Sequence, residues 1–130
     1  MTPPIQKIVY VEDEPDIQAI AQMALESIGG FNVILCSSGK EALDIIPVEK
    51  PDLILMDVMM PEMDGPSTME ALRQDPLCQD IPVAFMTAKV QKSEIDEFVQ
   101  LGAIGVIPKP FDPMTLSDEV RGLWAKAHKD

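Results

Sequence analysis

An α/β protein built on one parallel sheet is the fold class this sequence predicts, and three observations predict it. Short apolar, β-branched runs alternate with segments whose apolar residues recur at helical spacing. Five such pairs follow one another with no low-complexity linker between them, and acidic or polar residues fall where the strand candidates end. Strands that read as continuous apolar runs are covered on both faces, as parallel strands are.

Each element has its own signal. The run KIVYV, residues 6–11 with its preceding Gln6, is halted by Glu12-Asp13-Glu14-Pro15. Pro15 suits a first helical turn, and Ile17, Ile20, Ala21, Ala24, Leu25 and Ile28 then fall at the spacing of one buried helix face, which Gly29-Gly30 stops. Residues 31–36 read as the second strand, and residues 39–47 as a helix carrying Ala42, Leu43 and Ile46 inward. Residues 52–57 form the third strand. Asp64-Gly65-Pro66 offers a cap and an early proline for a helix reaching Leu72.

The fourth strand spans residues 82–87, with Pro82 tolerated at its first position. A helix over residues 91–101 is expected to bury Ile95, Phe98 and Val99, and Gly102 ends it. Residues 104–107 make the fifth strand. Asp112-Pro113 caps and starts the last helix, with Leu116, Val120, Leu123, Trp124 and Ala127 as its core stripe. Right-handed crossovers and short connections then select a flavodoxin-like doubly wound sheet, strand order 2-1-3-4-5, with helices on both faces.

The composition narrows the function. A chain of 130 residues fits one domain, residues 1–130, and no apolar run approaches the roughly 20 residues of a membrane helix. The start MTPP lacks the basic segment and apolar core of a secretory signal, so a cytoplasmic location and no membrane partner are expected. The formal net charge of −12, from 22 acids against 10 bases, repels phosphate backbones and argues against direct nucleic-acid binding. Cys36 and Cys78 are too few for a disulfide framework and are expected to be buried, idle thiols. Met56, Met59, Met60 and Met63 read as core fillers, and Trp124 as core or a partly covered interface. His128, beside Lys126 and Lys129, complements the dipole of the last helix.

The informative stretch is PDLILMDVMMP, an apolar strand that stops on Asp57. An ionised carboxylate buried without partners costs several kcal/mol, so Asp57 belongs at the strand's open tip. Ligands of such sheets bind beyond the carboxyl ends of the strands. There the sequence places Glu12 and Asp13 after strand 1, Asp57 after strand 3, Thr87 after strand 4 and Lys109 after strand 5. Strands 1 and 3 are neighbours in the expected order, so three carboxylates converge. Two unit charges about 4 Å apart repel by about 4 kcal/mol at an effective dielectric near 20, and a cation is required. Oxygen ligands without imidazole or thiolate suit a hard divalent ion, and Mg²⁺ takes one or two carboxylates while keeping waters. Open positions leave room for a phosphate, whose other oxygens Lys109 and the Thr87 hydroxyl would meet. Asp57 stands where a nucleophilic carboxylate would attack phosphorus.

Taken together, VYVEDEP, PDLILMDVMMPEMDG, MTA and IPKPF, in that order and spacing, resemble the receiver (CheY-like) domain of two-component response regulators over residues 7–126. The resemblance implies that Asp57 accepts a phosphoryl group from a phosphohistidine on a histidine kinase or histidine phosphotransfer protein. It implies that Glu12, Asp13, Asp57 and the backbone carbonyl of Met59 organise Mg²⁺, Glu12 through water, that Thr87 turns inward to the phosphoryl group, and that Lys109 pairs with it. It also implies a cis Lys109-Pro110 peptide. Two positions depart from the family's usual pattern: Val106 stands where an aromatic is common, three residues before the lysine, and Glu12 stands where aspartate is more frequent. The expected protein is a stand-alone, monomeric or weakly dimeric receiver without an output domain, signalling to a downstream protein target or passing the phosphoryl group on. A flavin module is disfavoured by Glu12-Asp13-Glu14, which would repel its phosphate. The alternative, a metal-dependent phosphatase with an aspartyl nucleophile, needs a leaving-group acid two residues beyond Asp57, and that residue is Met59.

Overall fold

Five apolar runs become five parallel strands: β1 (Lys7–Val11), β2 (Asn32–Cys36), β3 (Leu53–Asp57), β4 (Val83–Thr87) and β5 (Gly105–Pro108). The computed structural model describes residues 4–88 and 91–128. The strand order is β2-β1-β3-β4-β5, as the connections predicted. Every residue of β3 and β4 is buried, which is why neither run alternates between polar and apolar.

Successive side chains of a strand point to opposite faces, and this divides one sheet between two cores. Ile8, Tyr10, Leu53, Leu55, Ala84 and Met86 face α1 (Pro15–Met23), its π-helical extension (Ala24–Ile28) and α5 (Leu116–Ala127). Val9, Val11, Ile54, Met56, Val83 and Phe85 face α2 (Gly39–Glu49), α3 (Gly65–Arg73) and the half-buried Phe98 of α4 (Lys92–Gln100). The Phe98 and Phe85 rings meet with centroids 5.1 Å apart. Ser38 caps α2 through the Glu41 N–H, and Asp64 caps α3 through the Ser67 N–H.

The helix faces differ from the expected stripes in ways that have local causes. Beyond Met23 the first helix widens to i→i+5 bonding, with Gly29 N–H donating to the Ala24 carbonyl. The wider turn breaks the 3.6-residue phase, so Ile28 is exposed and Phe31 is buried beyond it. Ile20 is exposed too, leaving Ala21, Ala24 and Leu25 as the buried face. The second helix continues through Pro47 to Glu49, and Lys50 ends it in the left-handed conformation. No residue of α4 is fully buried: Phe98 packs against the core, Ile95 is half-buried and Val99 is exposed. Asp112 does not cap α5. It closes a preceding turn by accepting the Met114 N–H, and Ala127 in the last turn is exposed.

Gly65 fixes how closely α3 approaches the tip of β3. A Cβ there would lie 2.6 Å from the Asp57 carbonyl oxygen and 3.1 Å from the Phe85 ring. Only glycine lets the helix begin against the backbone of Asp57. Cys36 and Cys78 are buried free thiols, and burial followed by the Glu41 charge pushes Cys36 up to about 12. Among the described residues no helix is long and apolar enough to cross a membrane. Trp124 is buried, and the His128 ring stacks on it at 3.9 Å; Lys129 lies outside the described residues.

Candidate functional site

Five strand-end residues converge at the carboxyl edge of the sheet. Asp57 is the last residue of β3, at the register position paired with Met86 of β4. Glu12 follows β1 and stays in sheet geometry, its N–H donating to the Cys36 carbonyl at the end of β2. Thr87 closes β4, and its carbonyl accepts the Lys109 N–H at 3.0 Å, which ties the ends of β4 and β5 together. The Lys109-Pro110 peptide is cis.

One carboxylate oxygen each from Glu12, Asp13 and Asp57 lies within 4.8 Å of the others. Glu12 and Asp57 are buried and Asp13 is half-buried. At such separations each pair repels by about 3 kcal/mol at an effective dielectric near 20. Lys109 answers that repulsion: its Nζ is 2.9 Å from Glu12 Oε1 and 3.2 Å from Asp57 Oδ2. The second Glu12 oxygen, Oε2, accepts the Glu14 N–H at 3.2 Å. Asp13 has no ion pair among the described residues.

The electrostatics follow from this crowding. Burial pushes the Glu12 carboxyl above the usual carboxylate range, and repulsion from Asp57 adds to it; the Lys109 hydrogen bond opposes both without reversing them. For Lys109, burial works against the charge, but the Glu12 hydrogen bond and the two carboxylates outweigh it and raise its pKa.

Asp13, Glu14, Asp57, Met59, Thr87, Ala88 and Lys109 line a recess of about 230 Å³. Since a water occupies about 30 Å³, the recess has room for a hydrated ion together with a phosphoryl group. The donor set tests well against Mg²⁺. Three carboxylates converge without imidazole or thiolate, and Lys109 already supplies the positive charge that they require. Met59 contradicts its expected role as a core filler, because its side chain is 70% exposed at the mouth of the recess while Met56 and Met60 are buried.

Two residues near the site had no signal in the sequence. Gln18 of α1 donates its side-chain amide to the Glu12 carbonyl and to Ser37 Oγ, holding the β1 and β2 loops together. Tyr10, read as a strand residue, places a buried hydroxyl beneath the acids.

The model of the response regulator receiver domain family matches residues 8–121. Response regulator Rre1 of Synechocystis is 36% identical over 126 residues, covering 97% of this chain and 54% of that protein. The alkaline phosphatase synthesis transcriptional regulatory protein PhoP of Bacillus subtilis is 38% identical over 122 residues, covering 94% of this chain and 50% of that one. The chain spans about half the length of the curated relatives it matches. Among solved structures, chemotaxis response regulator CheY4 of Vibrio cholerae superposes with a TM-score of 0.84 at 28% identity, covering 92% of this chain and 99% of that one. A response regulator from Desulfuromonas acetoxidans gives 0.80 at 26% identity, covering 91% and 95%.

Two outcomes are expected from the charge crowding. Asp13→Ala removes a carboxylate that lacks an ion pair, so metal-free stability should rise by about 0.5 to 2 kcal/mol in urea melts while Mg²⁺ affinity is lost. A loss of stability would show that Asp13 is compensated by a group other than Lys109.

The second outcome concerns pH. Glu12 binds its proton more tightly folded than unfolded, so its contribution to stability is present below the unfolded pKa of about 4.5 and declines as pH rises to the higher folded value. Metal-free wild type should therefore gain stability relative to Glu12→Gln on acidification from neutral pH through that window, while its Mg²⁺ affinity falls. A stability difference independent of pH would show that Glu12 is not perturbed.

Proposed function

Because the chain belongs to the response regulator receiver family, we propose that it works as a phosphoacceptor switch in which Asp57 takes a phosphoryl group from a phosphohistidine. The observation that carries this reading is the placement of Asp57: a rigid strand ends on it, Lys109 lies 3.2 Å from it, and two further carboxylates stand beside it. A nucleophile on a strand tip is held to a narrow range of positions by the sheet behind it.

In this reading a carboxylate oxygen of Asp57 attacks phosphorus, an O–P bond forms, and the P–N bond to the imidazole breaks. The imidazole leaves with the bonding pair and regains a proton. Glu12, Asp13, Asp57 and the Met59 carbonyl would hold Mg²⁺, Glu12 through water, as the oxygen-only donor set suits. The ion, when bound, supplies charge neutralisation and orientation for the phosphoryl oxygens. Lys109 moves from the carboxylates to a phosphoryl oxygen, keeping its charge, and the Thr87 hydroxyl donates to another. Met59 stands where a phosphatase would need a leaving-group acid, and a thioether has no proton to give. The only covalent steps proposed are therefore the domain's own phosphorylation and the hydrolysis that reverses it.

The partner would be a histidine kinase or a histidine phosphotransfer protein. Beside the recess lies an apolar groove of about 170 Å³ lined by Ile17, Ile20, Lys109, Pro110, Phe111 and Pro113. Lys109 lines both hollows, so a partner seated on the groove brings its histidine to the acceptor carboxylate. This use accounts for Ile20, which the core leaves exposed. Output would leave by the face of α4, β5 and α5. Thr87 begins the loop into α4, its carbonyl binds Lys109 N–H, and Val106 of β5 borders a second groove with Glu119, Gly122, Leu123 and Lys126.

Asp57→Asn should abolish labelling by a small phosphodonor. Intact-mass measurement of an undiminished adduct in that variant would exclude Asp57 as acceptor. Valine at position 106 cannot make a ring swing, so amide shifts on adding beryllofluoride and Mg²⁺ should stay near the site and the Thr87 loop into α4. Lys89 and Val90 of that loop lie outside the described residues. Remote shifts clustered on α1 would instead favour onward transfer of the phosphoryl group over a switch.

A further inference from the structure

We infer that Gln18 is a positioning residue of the metal site, whose side-chain amide holds the peptide between Glu12 and Asp13 in the orientation that presents both acids to Mg²⁺. The inference rests on the Mg²⁺-assisted acceptor reading. Gln18 is half-buried near the start of α1, and its Nε2 meets three oxygens: the Glu12 carbonyl, Ser37 Oγ at 3.2 Å and the Cys36 carbonyl at 3.5 Å.

The backbone explains why the first of these acceptors needs a side chain. Glu12 N–H still bonds to the Cys36 carbonyl, as a strand residue does, but β2 ends at Cys36 and Ser38 already caps α2. The Glu12 carbonyl has thus run past the strand beside it, and Gln18 takes up the acceptor. A peptide unit is planar, so holding that oxygen holds the plane from which the Asp13 backbone departs.

Asp13 has little else to fix it. It makes no ion pair among the described residues, and Glu14 beside it caps α1 without a side-chain bond. Lys109 and the Glu14 N–H hold the Glu12 carboxylate, but Lys109 turns to the phosphoryl group in the proposed reaction. The Gln18 clamp does not depend on that lysine. Its far anchor is itself secured at the start of α2, where Ser37 N–H donates to Glu41 Oε1 at 3.4 Å and Glu41 N–H donates to Ser38 Oγ at 3.0 Å. One amide therefore ties the acid-bearing end of β1 to the loop after β2.

Gln18→Met keeps the length of the side chain and removes its donor. Mg²⁺ titration of the full chain, followed by amide shifts, should show affinity weakened by about tenfold or more, as is usual when a group that orients metal ligands is lost. Hydrogen exchange in the metal-free variant should quicken at the amides of Asp13 and Glu14 and stay unchanged at Val9 and Val11 inside β1, a pattern that a general stabilising role would not give. Gln18→Glu should weaken Mg²⁺ binding too, although charge alone would make the added carboxylate strengthen it. Ser37→Ala, at an exposed residue, should give a smaller loss in the same direction, and none when added to Gln18→Met. Equal Mg²⁺ affinity of wild type and Gln18→Met, or exchange quickened throughout β1, overturns the inference while the acceptor reading stands. If Gln18→Met does not fold, unchanged affinity in Ser37→Ala overturns it instead. Failure of wild type to bind Mg²⁺ at all overturns the metal-assisted reading and the inference with it.

Discussion

Three carboxylates at one end of a parallel sheet, answered by a single lysine, are the constraint on which the rest of this structure depends. A folded chain minimises such crowding unless something else requires it, and here the requirement is built into the backbone. Glu12 is locked by sheet pairing to β2, and Asp57 ends a strand in which no residue reaches solvent freely. Lys109 reaches both acids from the edge strand β5, two strand positions from Asp57 and three from Glu12. The site is held in a charge balance in which Lys109 offsets the repulsion between Glu12 and Asp57.

The two-core arrangement explains how so demanding a site is supported. With α1 and α5 on one face and α2, α3 and α4 on the other, the central strands are buried twice over and their tips are fixed from behind. Gly65 lets α3 start against the Asp57 carbonyl, and Gln18 of α1 grips the Glu12 carbonyl from the opposite face. The acids are therefore positioned by backbone contacts from both layers, while Lys109 and Thr87 come from strands whose ends are bonded to each other.

The exposed apolar residues sort by place. Ile20 borders the groove beside Lys109 that Ile17, Phe111 and Pro113 also line. Met59 stands over the recess itself. Val99 and Leu101 are exposed at the end of α4, a helix that buries no residue completely. That helix packs against β5 while staying half-exposed, and it follows on the loop after Thr87.

By itself the sequence determined the sheet order, the five strand-end positions and the family. Runs of four or five apolar residues and the caps between them are local signals, and β-strands of fixed direction deliver every strand-end residue to the same edge. Some of the helix stripes were not legible in this way. The π-helical turn that exposes Ile28, the exposure of Ile20, Val99 and Ala127, and the passage of α2 through Pro47 depend on what each helix meets, and spacing alone does not carry that. The same limit applied inside the site. That Lys109 pairs with Glu12 and Asp57 depended on side chains brought together from as far as 97 residues apart in the chain. Residue types fix which groups are able to pair, but distance and burial choose among them, and only the tertiary structure sets those.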